Sequence, residues 1–224
     1  MSIRGSGIAG LACFGLIAIG AIVEPTFGIP ATDAPPAEFA SYVADHHGDL
    51  PPALLAYGLA FGVFLVFAAG VWTLLRRFDE ILGATFALAA AAMSALIVAG
   101  FVPEAVAAYR RPGAELARTL NDLSFGILAF SAIPTAVATA AFAAVVLRSR
   151  CLPAWTAWVA TLAAAAHVVL AASFLFHSGF FSLEGQGITW IPATMFAWIL
   201  ATSVALVHAD RAGVVVHSRP ATRA

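Results

Sequence analysis

Six runs of apolar residues, each about as long as a bilayer is thick, dominate this chain of 224 residues and leave room for few other folds. They fall at about 7–24, 53–75, 81–102, 120–147, 155–177 and 188–209. A helix that crosses the hydrocarbon core needs about 20 predominantly apolar residues. None of the runs alternates with period two, so lipid is the expected solvent on their outer faces. The expected fold class is all-α: a polytopic transmembrane bundle of six spans, forming one membrane domain over residues 1–224.

Composition agrees. The chain is 62% hydrophobic and 10% charged, with a mean hydropathy of +0.94. Soluble domains are about half apolar and about a quarter charged. The formal net charge of −1 offers no basic field, so nucleic acid is excluded as a partner. Cys13 and Cys151 stand far apart and suggest neither a disulfide framework nor a thiolate metal site. All 11 basic residues are arginine and none is lysine. With the abundant alanine, this points to a GC-rich bacterial genome and hence to the bacterial plasma membrane.

Arginine also sets the orientation. With six spans threaded, Arg4, Arg76, Arg77, Arg148, Arg150, Arg211, Arg219 and Arg223 share one side, and Arg110, Arg111 and Arg118 the other. Positively charged loops stay inside, so both termini are expected in the cytoplasm. The first run follows Arg4 in the manner of a signal sequence, and Thr32 and Ala34 form a loose cleavage pattern. Pro35 and Pro36 disfavour cutting there, and an uncleaved first helix is the preferred reading. The stretch 103–119, with charges among Val106, Tyr109 and Leu116, reads as an interfacial amphipathic segment.

Polar residues within spans are costly and mark functional sites by default. His167 lies about 18 Å from one end of its span, near the midplane. On the preceding span Ser124, Ser131, Thr135 and Thr139 fall on one stripe, with Ser131 and Thr135 at the depth of His167, and Trp198 reaches a similar level. These residues form either a polar pocket or a set of interhelical hydrogen bonds. Pro134 lacks an amide proton and frees the carbonyl of Phe130, which Ser131 and Thr135 are placed to satisfy.

A second set gathers at the arginine-poor end. The segment YVADHHGDLPP at 42–52 supplies His46, His47 and Asp49. Asp122 opens the fourth span as a candidate helix cap, His177 closes the fifth, and Glu184 precedes the sixth beside Phe181 and Trp190. Should they converge, Asp122, Glu184, His177 and Asp49 become candidate catalytic acids and bases. His46, His47, His167, Ser131, Thr135, Phe181, Trp190 and Trp198 become pocket residues. Histidines with carboxylates can also hold a divalent metal, although His-His-x-Asp does not set its ligands on one helix face. No other cofactor is expected, since His167 has no midplane histidine to share a haem.

A resemblance is carried by the strings Ala37-Glu38-Phe39-Ala40-Ser41-Tyr42-Val43-Ala44-Asp45-His46, Asn121-Asp122-Leu123-Ser124-Phe125, Leu152-Pro153-Ala154-Trp155 and Ser178-Gly179-Phe180-Phe181. In them the chain resembles a group of small six-helix integral membrane proteins of GC-rich bacteria, a domain family of unassigned function. The resemblance implies the six-helix fold and brings no activity or catalytic residues with it.

Three functions follow as expectations. The first is binding, or acid–base transformation, of a lipophilic small molecule in an outward-facing pocket, by analogy with membrane terpenoid cyclases and isomerases. The second is a transporter or channel subunit, assembled as a homo-oligomer, with His167 on its path. The third is a non-catalytic accessory protein whose only partner is the bilayer.

Overall fold

The computed structural model describes residues 2–24, 30, 33–183 and 185–211. It is all-helical, with six helices long and apolar enough to cross a membrane. Helix α1 spans Ile3–Val23, α2 Pro36–Asp45, α3 Leu50–Leu75, α4 Glu80–Arg110 and α5 Ala114–Ser149. Helix α6 spans Ala154–Ala171 and runs on as a 3-10 turn through Ala172–Leu175. A short α7 (Gly187–Trp190) leads into α8 (Pro192–Arg211).

The spans close into a ring. Each of α3, α4, α5 and α6 packs on the next, α6 packs on α8, and α1 fills the gap between α8 and α3. Trp198 lies fully buried inside it, its ring edge-on to Phe67, Phe86 and Phe142 at centroid separations of 6.0, 6.2 and 5.6 Å. Edge-to-face geometry of this kind adds to the packing of large rings. Small residues bring the backbones together: a Cβ on Gly10 would collide with the Ser203 side chain and come within 2.7 Å of the Phe67 ring. This contact sets α1 tightly against α8 and α3.

The two ends of the ring differ. At one end Gly7 of α1 meets Ser203 and Val207 of α8. The α3–α4 link and the last turn of α5 meet there too, through Asp79 and Arg148 at 3.9 Å. Asp79 also caps α4, accepting from the Leu82 amide at 2.9 Å. The opposite end carries α2, the link 111–113 and the segment between α6 and α7. Helix α2 begins with Pro36 at its first position, where a missing amide costs nothing. Its buried residues Phe39, Tyr42 and Val43 follow helical spacing and dock against α5 and α4.

Several boundaries differ from those read in the sequence. The stretch 103–119 is no separate interfacial segment. Helix α4 continues through Pro103 to Arg110, and α5 starts at Ala114, because the two long helices pack on each other beyond the ends of their apolar runs. Asp122 therefore sits in the third turn of α5, and Gly113 occupies the N-cap. Helix α6 ends six residues earlier than its apolar run, so His177 lies in a bend beyond both the helix and the 3-10 turn. Pro134 stays within a continuous α5. Ser131 donates to the Leu128 carbonyl at 2.6 Å and Thr135 to the Ser131 carbonyl at 2.7 Å, so neither takes up the carbonyl of Phe130.

Candidate functional site

At the end carrying α2, a cavity of about 390 Å³ opens between α1, α2, α3, α4, α5 and α7. Its walls include Phe39, Tyr42, Tyr57, Phe101 and Phe125, and its polar lining includes Glu24, Glu104, Asn121, Gln186 and Thr189. An apolar concavity with a few convergent polar groups is the usual form of a small-molecule site.

Each polar group reaches the cavity for a local reason. Glu24 caps the end of α1, its amide donating to the Gly20 carbonyl at 2.7 Å. The buried Glu24 carboxyl accepts from the Tyr57 hydroxyl of α3 at 2.7 Å. Tyr57 is held by stacking on Phe101 of α4, with centroids 5.4 Å apart and planes 24° from parallel. Gly20 makes room for it: a Cβ there would come within 2.5 Å of the Tyr57 ring. Glu104 lies nearly one helical turn beyond Phe101 on α4, partly exposed, and lines the same cavity. Below it the α4–α5 contact is close. Ser124 donates to the Gly100 carbonyl at 2.6 Å, and a Cβ on Gly100 would come within 2.7 Å of Leu128.

Two polar atoms of the lining are buried without a hydrogen-bond partner among the described residues, the Tyr42 hydroxyl and the Asn121 amide nitrogen. Native structures leave few such groups unpaired, because each forfeits its hydration for nothing. Burial raises the Tyr42 phenol, and the charges of Glu24 and Glu104 raise it further. Burial also raises the Glu24 carboxyl, with the hydrogen bond from Tyr57 acting in the opposite direction.

A larger hollow of about 660 Å³ lies at the other end, between the start of α6 and the end of α8. It is an open, mostly apolar trough whose lining holds no carboxylate among the described residues. Its histidine, His208, bonds through Nδ1 to the Val204 carbonyl of its own helix at 2.9 Å. The chemistry is concentrated in the smaller cavity.

The residues singled out from the sequence lie mostly elsewhere. Asp49, Asp122, His47 and His177 are exposed, and none lines the cavity. Asp122 is held by Arg118, at 3.2 Å from Nε. His47 bonds to the Ala44 carbonyl at 2.8 Å. His46 is half-buried against the Tyr42 ring, with centroids 4.9 Å apart. Glu184 lies outside the described residues. Phe181 and Trp190 are 47% and 63% exposed and suit the aromatic belt of a membrane interface better than a pocket. His167 is buried, but its Nδ1 meets the Ala163 carbonyl of α6 at 2.8 Å. Ser131 and Thr135 bond within α5, so among the described residues no hydrogen bond joins the three across helices. Trp198 belongs to the ring cluster of the core. Among the described residues no three histidine, cysteine or carboxylate side chains come together in a metal-holding group.

Glu24 and Glu104 stand in the sequence only as two acids among many at the arginine-poor end. Tyr42, Tyr57 and Asn121 carry no signal there beyond being polar-tipped residues next to apolar runs. Asn121 adjoins the more conspicuous Asp122, yet one step of 100° on the helix separates a cavity-lining position from a solvent-facing one. No family model matches the chain, and no curated protein or solved structure matches it either.

Proposed function

We propose that this integral membrane protein binds a lipophilic small molecule in the cavity between α1, α2, α3, α4 and α5. The observation that carries the reading is the placement of two carboxyl groups, Glu24 in its bond with Tyr57 and Glu104 on α4, in one aromatic-walled cavity. The arginine distribution supports a plasma-membrane protein with this cavity facing outward. In the version with acid–base chemistry, Glu104 and the Glu24–Tyr57 pair are the groups in reach of an occupant, and the exposed Asp122 is not. The small-molecule reading is favoured over a conduction path, because the hydroxyls of Ser131, Thr135 and Thr139 all bond to carbonyls of α5 itself.

Native mass spectrometry of the protein released from nanodiscs tests this. The expected result is a small-molecule adduct on the wild-type chain that disappears in Ala117→Trp, where a large ring fills the cavity from a small lining residue. An adduct that persists undiminished in a folded Ala117→Trp variant would sink the proposal.

A further inference from the structure

The balance of charge around the cavity goes further than its shape. Among the described lining residues two are acidic and none is basic. The neighbouring segment 25–32 contains no basic residue in its sequence. Arg118, which stands over the Phe39 ring with its guanidinium carbon 5.7 Å from the centroid, is already engaged. It pairs with Asp122 at 3.2 Å and donates to the Ala34 carbonyl. An anionic occupant would meet two carboxyl groups and, among the described lining residues, no cation.

An independent observation calls for a polar group on the occupant. The Tyr42 side chain is more than nine-tenths buried, lines this cavity, and its hydroxyl has no partner among the described residues. A phenol oxygen accepts from an N–H, and an occupant with no polar group would leave it desolvated and unpaired. The aromatic faces add a third attraction, since cations are drawn to the negative face of such rings. An inorganic dication is a poorer fit, because hard ions take six or more oxygen ligands and these walls are largely carbon.

We infer that the occupant is an organic cation, an ammonium group on an apolar body, its charge lying near Glu24 and Glu104 and against the rings of Tyr57 and Phe101. This rests on the small-molecule reading above and sharpens it. The apolar body would fill the part of the cavity lined by Val43, Leu54 and Leu128.

The test uses the full chain in nanodiscs and two probes of nearly equal shape. One is N,N-dimethylbenzylamine, protonated at neutral pH and keeping one N–H; the other is isobutylbenzene, in which carbon replaces the charged nitrogen. Both are measured by how far they slow labelling of Glu24 and Glu104 by dicyclohexylcarbodiimide, read by peptide mass spectrometry. The expected result is protection of about tenfold by the cation and little by the neutral compound, although the neutral compound concentrates more strongly in lipid. Titration calorimetry of folded Glu104→Gln should show the cation bound about tenfold more weakly, one charge pair having been lost.

Equal protection by both probes, or protection by the neutral one alone, would overturn the charge assignment and leave the pocket standing. Protection by neither, with the native adduct present and lost in Ala117→Trp, would overturn it in the same way. Protection by neither and no cavity-dependent adduct would remove the pocket as well. Unchanged cation affinity in both Glu104→Gln and Glu24→Gln would also overturn the assignment.

Discussion

The Tyr57 hydroxyl donates to Glu24 Oε2 at 2.7 Å, joining two residues 33 apart in sequence and tying the end of α1 to α3. Tyr57→Phe removes that bond and keeps the ring that stacks on Phe101. The expected cost is about 1 kcal/mol of stability, the usual net worth of one such hydrogen bond. Thermal unfolding in detergent, read by circular dichroism, checks it. A variant as stable as wild type at neutral pH would mean that the bond is optional.

The same contact depends on Gly20. A Cβ there would come within 2.5 Å of the Tyr57 ring, whereas a Cβ on Gly15 of the same helix meets nothing within 4 Å. Gly20→Ala is expected to lower the melting temperature by several degrees, and Gly15→Ala to leave it unchanged or slightly raised by the better helix propensity of alanine. Equal melting temperatures for the two variants would contradict this packing.

Glu24 gives the chain a pH dependence of definite sign. Burial raises its carboxyl above the ordinary value of 4.5. The folded state therefore holds the proton more tightly than the unfolded state. Stability from this group is present in acid and declines as pH rises from the unfolded value through the raised folded one. Glu24→Gln keeps an acceptor for Tyr57 and removes the titration. Without ligand, the variant should melt a few degrees above wild type at pH 7, with the gap closing toward pH 4. Melting curves across that range decide it, and a gap that widens in acid would reverse the assignment.

Asp122 pairs with Arg118, whose guanidinium stands over Phe39, one of the cavity walls. The pair is an i,i+4 contact with Asp122 52% exposed, so Asp122→Ala should cost under about 0.5 kcal/mol of stability. It frees the guanidinium that stands over the Phe39 wall of the cavity, and on the organic-cation proposal this charge is expected to weaken binding severalfold. The double variant Arg118→Ala/Asp122→Ala should restore it. Calorimetric titration of protonated N,N-dimethylbenzylamine into the three proteins is the measurement, and a double variant no better than the single one would remove this role.

Thr135 separates a binding protein from a conducting one. Its hydroxyl bonds only along α5, at 2.7 Å to Ser131, and such local bonds stabilise little. Thr135→Val should change stability by less than about 0.6 kcal/mol and leave cation binding intact. Loss of a solute flux in proteoliposomes on this substitution would favour the transport reading instead.

The spans were legible because lipid selects on the sum of hydropathy over a window, a property that survives projection onto one dimension. The extensions of α4 and α5 were not. Pro103 and the charges at 104–118 resemble an interruption, and only the mutual packing of the two helices shows that they continue. Helix α2 was missed for a related reason: ten residues in a polar loop give a weak signal until Phe39, Tyr42 and Val43 find a surface. The site was harder still. Asp122 and His177 stand out where an apolar run appears to begin or end, and both of those boundaries moved. Glu24 and Glu104 are 80 positions apart, and nothing in spacing links them. Their meeting depends on Gly20, Gly100 and the ring closure of α1, which are properties of packing.

Helices α4 and α5 have 31 and 36 residues, about 46 and 54 Å at 1.5 Å each. A hydrocarbon core is about 30 Å thick. Even α3, at 26 residues, is shorter than both, so the α4–α5 hairpin outruns its neighbours at the end where α2 leans on it. In a bilayer of that thickness the far ends of α4 and α5 would stand beyond the hydrocarbon core, and the cavity at that end of the ring would fall near the boundary of acyl chains and headgroups. On the small-molecule proposal, an amphiphile resident in that leaflet would then reach it sideways, its polar end already at the height of the cavity.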